Sequence, residues 1–338
     1  MNWSDNISIL KRLTLRRCWN LLLLKFSYWS AKHLKYIKSK GLPYAASIEP
    51  TTACNLGCPE CPSGLKQFTR PTGKLDLELH EKMLDQLGKQ VFYINYYFQG
   101  EPFLHPKFLE LIKAANKRNV YTATSTNAHF INEQKALDIV NSGMDRIIVS
   151  IDGLTQETYE QYRKKGQLEK VIKGTEHLIE AKKKLNSKTP NIIFQFLVVK
   201  PNEHEVKDIF KLGKKLGVNE VRLKTAQLYD YKNGNPLMPK NEKYSRYKLT
   251  KDGTYKPKYK LLDHCWRMWS STVLTWDGKV VPCCFDKDAH HVLGGIDETS
   301  FKSIWNNEKY MNFRKAVFTD RQNIDICKNC SEGTKVWT

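Results

Sequence analysis

The sequence predicts an α/β fold: an open, partial (β/α)6 TIM-like barrel with a small C-terminal α+β unit and an N-terminal helix. Three observations carry that expectation. Short apolar runs at 46–49, 92–98, 120–125, 146–151, 192–199 and 220–224 read as strands. Helical patterns near 76–88, 106–118, 132–142, 155–186 and 203–216 fall between them, and strand–helix alternation builds parallel βα units. Six units are too few to close an eight-stranded barrel, so the wall stays open.

From the N-terminus, residues 7–40 read as one long helix. Leu15, Trp19, Leu22, Phe26, Trp29, His33 and Ile37 advance by steps of four and three, the spacing of one face. Basic residues fill the other faces. The pattern suits a helix lying in a membrane interface, and suits a helix packed on the outside of a barrel equally well. The apolar stretch at 19–24 is too short to span a bilayer, and no cleavable signal is read at the N-terminus. The expected location is therefore cytoplasmic, with peripheral association at the inner membrane face as an option. After the last βα unit, residues 226–262 lack periodicity and read as a linker. "STVLTWDGKVVPCC" then places two β-like runs around Asp277-Gly278, a hairpin signal, and a final helix is expected over 301–318. The expected organisation is an N-terminal basic amphipathic helix (1–44), the barrel (45–225), the linker (226–262) and a cysteine-bearing unit (263–338).

The 338 residues hold 55 Lys and Arg against 35 Asp and Glu, a net charge of +20. Such a surplus calls for an anionic partner: nucleic acid, a phosphorylated metabolite or an acidic membrane. Residues 1–42 hold nine of the basic residues and only Asp5 against them. A second basic tract, 231–260, interleaves lysines with tyrosines. No RNA-binding signature accompanies either, and basic composition alone does not identify a nucleic-acid protein.

Seven of the nine cysteines fall into two sets. Cys54, Cys58 and Cys61 share the loop after the first strand, in the pattern C-x3-C-x2-C. A disulfide framework needs an even count and an oxidising compartment, and a structural zinc site needs four closed ligands. Three thiolates on one short loop suit a 4Fe–4S cluster with one iron left open. Cys265, Cys283, Cys327 and Cys330 form the second set, enough for one fully ligated centre. Cys284, adjacent to Cys283, cannot readily aim at the same centre, and Cys18 reads as a plain thiol.

"CNLGCPEC" resembles the signature of the radical S-adenosylmethionine (radical SAM) superfamily, and further fragments agree in chain order. "QGEP", Gln99, Gly100, Glu101 and Pro102, resembles the superfamily's "GGEP" segment, which contacts the SAM amino group. "TSTNAHFI" carries Asn127 at the third strand end. "VSIDG" carries Ser150 and Asp152, which the resemblance sets near the SAM ribose and carboxylate. "ETYEQYR" ends at Arg163, matching an arginine that approaches the carboxylate in related enzymes. Glu60 departs from the pattern, which has an aromatic residue there. The spacing C-x12-G-x4-C from Cys265 to Cys283 resembles the opening of the SPASM auxiliary-cluster domain, in its shortened, single-cluster twitch form.

The resemblance implies two 4Fe–4S clusters, one binding SAM through Cys54, Cys58 and Cys61, and one auxiliary on Cys265, Cys283, Cys327 and Cys330. It implies reductive cleavage of SAM to a 5′-deoxyadenosyl radical that abstracts hydrogen from a substrate C–H bond, with the auxiliary cluster in electron transfer. A one-electron reductant such as flavodoxin or ferredoxin is the implied partner. The substrate is open: a sugar, a lipid-linked molecule or a peptide, with an anionic one fitting the charge. Lys224, at the sixth strand end, reads as an acid, a base or an anion contact, or as a plain surface lysine. Two readings of other classes stand beside the enzyme: an RNA-modifying or nucleic-acid-binding protein, and a non-catalytic zinc protein.

Overall fold

The computed structural model describes residues 3–332; the outermost residues of the first and last expected units, 1–2 and 333–338, lie outside them. Helices α1 (Trp3–Leu10) and α2 (Leu15–Leu34) precede strand β1 (Ala45–Ile48). The barrel continues through α3 (Pro62–Leu65), α4 (Leu77–Leu87), β2 (Tyr93–Asn95), α5 (Phe108–Lys117), β3 (Tyr121–Thr126) and α6 (Glu133–Asn141). It ends with β4 (Arg146–Ser150), α7 (Gln156–Tyr162), α8 (Leu168–Lys184), β5 (Asn191–Val198), α9 (Val206–Leu216) and β6 (Glu220–Thr225). Strands β1 to β6 are parallel and hydrogen-bonded in chain order. All six predicted strands are present, β2 being shorter than predicted. The sheet's outward face meets the helices: Ile192, Phe194, Phe196 and Val198 of β5 are fully buried there. Burying each contributes roughly 1.5–3 kcal/mol.

A two-stranded ribbon, β7 (Tyr247–Leu249) with β8 (Tyr255–Pro257), lies in the segment expected as a linker. That segment is folded: Leu228, Leu237, Met238 and Tyr247 are buried against Leu56, Cys58 and Tyr162. The remaining elements are α10 (Arg267–Ser270), β9 (Ser271–Leu274), β10 (Lys279–Val281), β11 (Gly294–Gly295), α11 (Phe301–Asn306) and α12 (Glu308–Asp320). Gly278, with φ +81°, turns β9 into β10, as the Asp-Gly pair predicts. Strand β9 pairs parallel with β1, and β10 and β11 extend the sheet, giving nine strands in the order β11-β10-β9-β1-β2-β3-β4-β5-β6.

Three predicted helices are each two. The N-terminal one breaks at Lys11–Leu13, where Thr14 caps α2 by accepting from the Arg17 amide. It ends at Leu34, before Lys35 takes a left-handed conformation. The 155–186 pattern breaks between α7 and α8, where Lys165 has φ +67°. The 301–318 pattern breaks at Asn307, whose side chain caps α12.

The periodic stripe of α2 is not the face the fold buries. Leu15, Trp19, Leu22, Phe26 and Trp29 are exposed, while Arg17, Asn20, Leu24, Ser27 and Ala31 are buried. Packing of the stripe against the barrel is thereby corrected. Arg17 donates to the carbonyls of Lys89, Val91 and Asn119, just before β2 and β3. Asp5 of α1 pairs with Arg146 and accepts from Tyr121, the first residues of β4 and β3. The two helices therefore strap across the floor of the barrel, at the N-terminal strand ends. Farther along α2, Tyr28 bonds His264 at 2.9 Å and packs on Trp266, Trp269 and Phe318.

Candidate active site

Loops gather at the opposite, C-terminal ends of the strands. The loop after β1 carries Cys54, Cys58 and Cys61, and two glycines fix its path. Gly64 has no room for a side chain, because a Cβ would lie 2.5 Å from the Cys58 amide nitrogen. Gly100, after β2, has φ +74° and a Cβ there would meet the Thr51 carbonyl at 2.2 Å. That close approach lets the Glu101 amide donate to Ala53 O at 2.8 Å, docking the two loops together.

The three cysteines line one cavity of about 280 Å³ together with Gly100, Glu101, Asn127, Ser150 and Arg163. Glu101 is buried and accepts from Thr126 Oγ1 at 2.6 Å and the Asn127 amide at 2.8 Å. Burial pushes its carboxyl up, against those donors. Asn127 Nδ2 donates to Asn55 Oδ1 at 2.8 Å, within the cysteine loop. Asp152 is fully buried and does not line the cavity. It accepts from the Leu197 amide at 2.6 Å and from Arg163 Nε at 2.5 Å. Burial pushes the Asp152 carboxyl up, and the guanidinium opposes that rise. Arg163 then reaches Cys58, with Nη1 3.8 Å from Sγ. Gln99 and Pro102 are likewise buried behind the wall; Gln99 accepts from Ser63 at 3.4 Å. The sequence reading thus joins residues of two kinds, five that line the cavity and three buried behind them, of which Asp152 holds Arg163.

Several lining residues are not singled out from the sequence: Ser63, Tyr97, Phe98, Ser125 and Tyr162; Asn55, which bonds Asn127, stands just behind the lining. Alternation along β2 and β3 is the signal that could have found Tyr97 and Ser125. Glu60 has a definite place. Its carboxylate accepts from the Tyr229 amide at 2.8 Å and from Asn235 Nδ2 at 3.2 Å. Across the same folded segment, Tyr247 donates to Asn329 Oδ1 at 2.8 Å, and Asn329 Nδ2 donates to Leu228 O at 2.7 Å. Asn329 stands between Cys327 and Cys330, so residues 228–247 bridge the two cysteine sites.

The donor set fits an iron–sulfur group at each site. All nine cysteines are free thiols. Cys54 is pushed up to about 12, first by burial and then by Glu101 and the other two cysteines. Arg163 brings a cation to Cys58, and grouped, desolvated thiols favour a metal group that takes them as thiolates. Around the second set the countercharge comes from Arg321. Arg321 is buried and has no carboxylate partner among the described residues. It donates to Cys330 Sγ at 3.5 Å and to the carbonyls of Leu262, His264 and Glu332. Cys265, Cys327 and Cys330 are buried around it, Cys283 is buried beside Cys265 and Cys330, and burial raises each thiol. Among the described residues no group of three or more His, Cys, Asp or Glu side chains is arranged to hold a single metal ion. Cys284, next to Cys283, also lies beside Arg267 and Lys224.

Val221 and Leu223 of β6 pack on the helices, so Arg222 and Lys224 face the barrel interior. Lys224 has no hydrogen-bond or ion-pair partner among the described residues. Desolvation lowers its pKa, and the nearby Arg246, Arg267 and Arg222 lower it further. Arg246 is held by Thr225 at 2.7 Å, and its buried Nη1 has no partner among the described residues.

Comparison with known proteins agrees with this geometry. The family model described as the Radical SAM superfamily matches residues 48–220, just over half the chain, and the SPASM iron–sulfur cluster-binding domain matches 265–331. The tungsten-containing aldehyde ferredoxin oxidoreductase cofactor-modifying protein of Pyrococcus furiosus is 26% identical over 84% of this chain and 86% of its own. The PqqA peptide cyclase of Gluconobacter oxydans is 23% identical over 87% and 84%. Among solved structures, SuiB of Streptococcus suis bound to S-adenosylmethionine has a TM-score of 0.64 at 13% identity, covering 87% of this chain and 73% of SuiB. Native anSMEcpe with bound AdoMet and Cp18Cys peptide has a TM-score of 0.61 at 20% identity, over 87% and 89%.

Proposed function

The chain belongs to the radical SAM superfamily and carries a SPASM domain, and on that premise we propose that it is an oxidising radical enzyme acting on an anionic substrate. The enzyme uses SAM and iron–sulfur clusters, which decides against the non-catalytic zinc reading. The observation that carries the proposal is the convergence of Cys54, Cys58 and Cys61 with the ends of β2, β3 and β4 on one cavity.

Bound there, cluster and SAM supply reductive cleavage of the sulfonium and hydrogen abstraction from an unactivated C–H bond. Cys265, Cys283, Cys327 and Cys330 would hold a second cluster, which would supply a one-electron acceptor; with a flavodoxin- or ferredoxin-class donor feeding the first site and SAM leaving as methionine and 5′-deoxyadenosine, the substrate would lose two electrons and two protons in all. The chain's own residues do the positioning. Arg163, fixed by Asp152, is the cation for the SAM carboxylate. Glu101, held by Thr126 and Asn127, faces the SAM amino group, with Gly100, Asn127 and Ser150 completing the wall and Gln99 and Pro102 behind it. The folded 228–247 segment keeps water from the cysteine loop.

Lys224, exposed at the sixth strand end, and Arg246 favour a substrate carrying carboxylate or phosphate, on a peptide or a small molecule, whereas Arg222 is paired with Glu220. The test is anaerobic incubation of the reconstituted enzyme with SAM and a strong reductant. We expect roughly eight irons per chain and formation of 5′-deoxyadenosine, abolished in Cys58→Ser. Zinc without sulfide, or no 5′-deoxyadenosine from an iron-loaded enzyme, overturns the proposal.

A further inference from the structure

Water meets an apolar surface on the floor of the barrel that nothing among the described residues covers. Of α2, Trp19, Leu22, Phe26 and Trp29 are 64, 61, 53 and 49% exposed. Leu15 lies on the same line at 93%, and α1 adds Trp3 at 82% and Leu10 at 61%. Residues at steps of three and four share one helical face, so this is a continuous stripe. Single exposed apolar residues are ordinary; a contiguous run of this size marks an interaction site.

Charge identifies the occupant. Seven lysines and arginines between Lys11 and Lys40 are exposed around the stripe. The one acid of the segment, Asp5, is buried and spent on Arg146 and Tyr121. Every exposed charge of the segment is therefore positive. Three aromatics, Trp19, Phe26 and Trp29, alternate with Leu15 and Leu22 and have cations to either side, the composition of a helix that lies in a lipid interface. A nucleic acid would use the cations and leave the apolar stripe wet. No helix among the described residues is long and apolar enough to cross a membrane, so the segment lies on the bilayer.

We propose that α1 and α2 dock the enzyme on an anionic lipid bilayer. The strap is held rigidly by Arg17 and Asp5, so docking orients the whole barrel. Its floor faces the lipid, and the cavity opens at the other ends of strands up to eight residues, or about 26 Å, long. A substrate therefore arrives from the aqueous side. The proposal is independent of the reaction assigned to the cavity.

The test is co-sedimentation of the full-length holoenzyme with vesicles of phosphatidylcholine alone, or with phosphatidylcholine and phosphatidylglycerol in equal amounts. We expect binding to the anionic vesicles only, weakened by salt, with a blue shift of tryptophan emission. The triple variant Trp19→Ser, Phe26→Ser, Trp29→Ser loses at least tenfold in partition coefficient with an unchanged melting temperature. Lys32→Glu, Lys35→Glu, Lys38→Glu, which leaves the stripe intact, loses roughly fivefold per residue. Equal binding by wild type and both variants, or no binding to either vesicle, overturns the proposal. So does a wild-type dimer that the serine variant breaks, because the stripe then belongs to a second copy of the chain.

Discussion

Asp152→Asn isolates what holds the cavity's cation in place. The substitution keeps the size and the acceptor for the Leu197 amide, but turns the ion pair with Arg163 into a contact between a neutral amide and a guanidinium. The Asp152 side chain is 0% exposed and that of Arg163 17%. Removing one partner of a buried pair costs about 3–5 kcal/mol, because the other charge stays buried alone. The retained amide bond and the partial exposure of Arg163 put the expected loss near the lower figure, about 3 kcal/mol. That corresponds to a fall of roughly 6–12 °C in melting temperature for a unit of the barrel's size. The assay is a thermal melt of the anaerobic holoenzyme, run as a double-mutant cycle with Arg163→Met. Methionine removes the stranded charge, so the double variant regains stability over Asp152→Asn alone, with a coupling of at least ~2 kcal/mol. SAM affinity falls in both single variants. A loss under about 1 kcal/mol, or strict additivity, refutes the assignment of Asp152 as the group that positions Arg163.

Other expectations are more local. Glu60→Ala removes the acceptor for Tyr229 and Asn235, costing about 1.5 kcal/mol; amide exchange over 228–238 should then quicken by roughly tenfold, and unchanged exchange rejects the latch. His80 is fully buried, bonded to Tyr96 at 2.8 Å, and burial lowers its pKa to about 3. The unfolded chain binds this proton first, so stability present above about pH 6.5 is lost as pH falls toward 3, at up to ~1.4 kcal/mol per pH unit. His80→Gln should flatten that part of the stability–pH curve, and an identical slope in both proteins counts against it. Gly100→Ala forces a Cβ to 2.2 Å from Thr51 O at φ +74°, so the cysteine loop undocks and iron content per chain drops; full iron loading would show that the close approach is dispensable.

The barrel was legible because its signals are local. Each strand is an apolar run bounded by a helical period, and the cavity residues stand at the strand ends or in the segments that follow them. What the sequence misled on depends on partners far along the chain. The period of Leu15, Trp19, Leu22, Phe26 and Trp29 is real, yet the buried face is that of Arg17 and Asn20. The carbonyls that need Arg17 belong to Lys89, Val91 and Asn119, 72 to 102 residues away. Residues 226–262 lack a period because they cover the cysteine loop with irregular backbone, so the buried Leu228, Leu237 and Met238 follow no repeat. Glu60 read as a missing ring, and its two partners lie 169 and 175 residues downstream. Asp152 and Arg163 read as two parallel contacts, where the fold arranges them in series.

Strand β9 fills the side of β1 that β2 leaves open. Cutting the chain after β6 would therefore leave Ala45–Ile48 as a bare apolar edge, the kind that recruits strands from other molecules. The barrel is not a free-standing part, although the family matches divide the chain cleanly at 220 and 265. Exchange of C-terminal units between relatives should succeed only when the incoming piece brings a strand in register with Ala45, Ala46, Ser47 and Ile48. Heredity can shuffle such a tail only as fast as it preserves that seam.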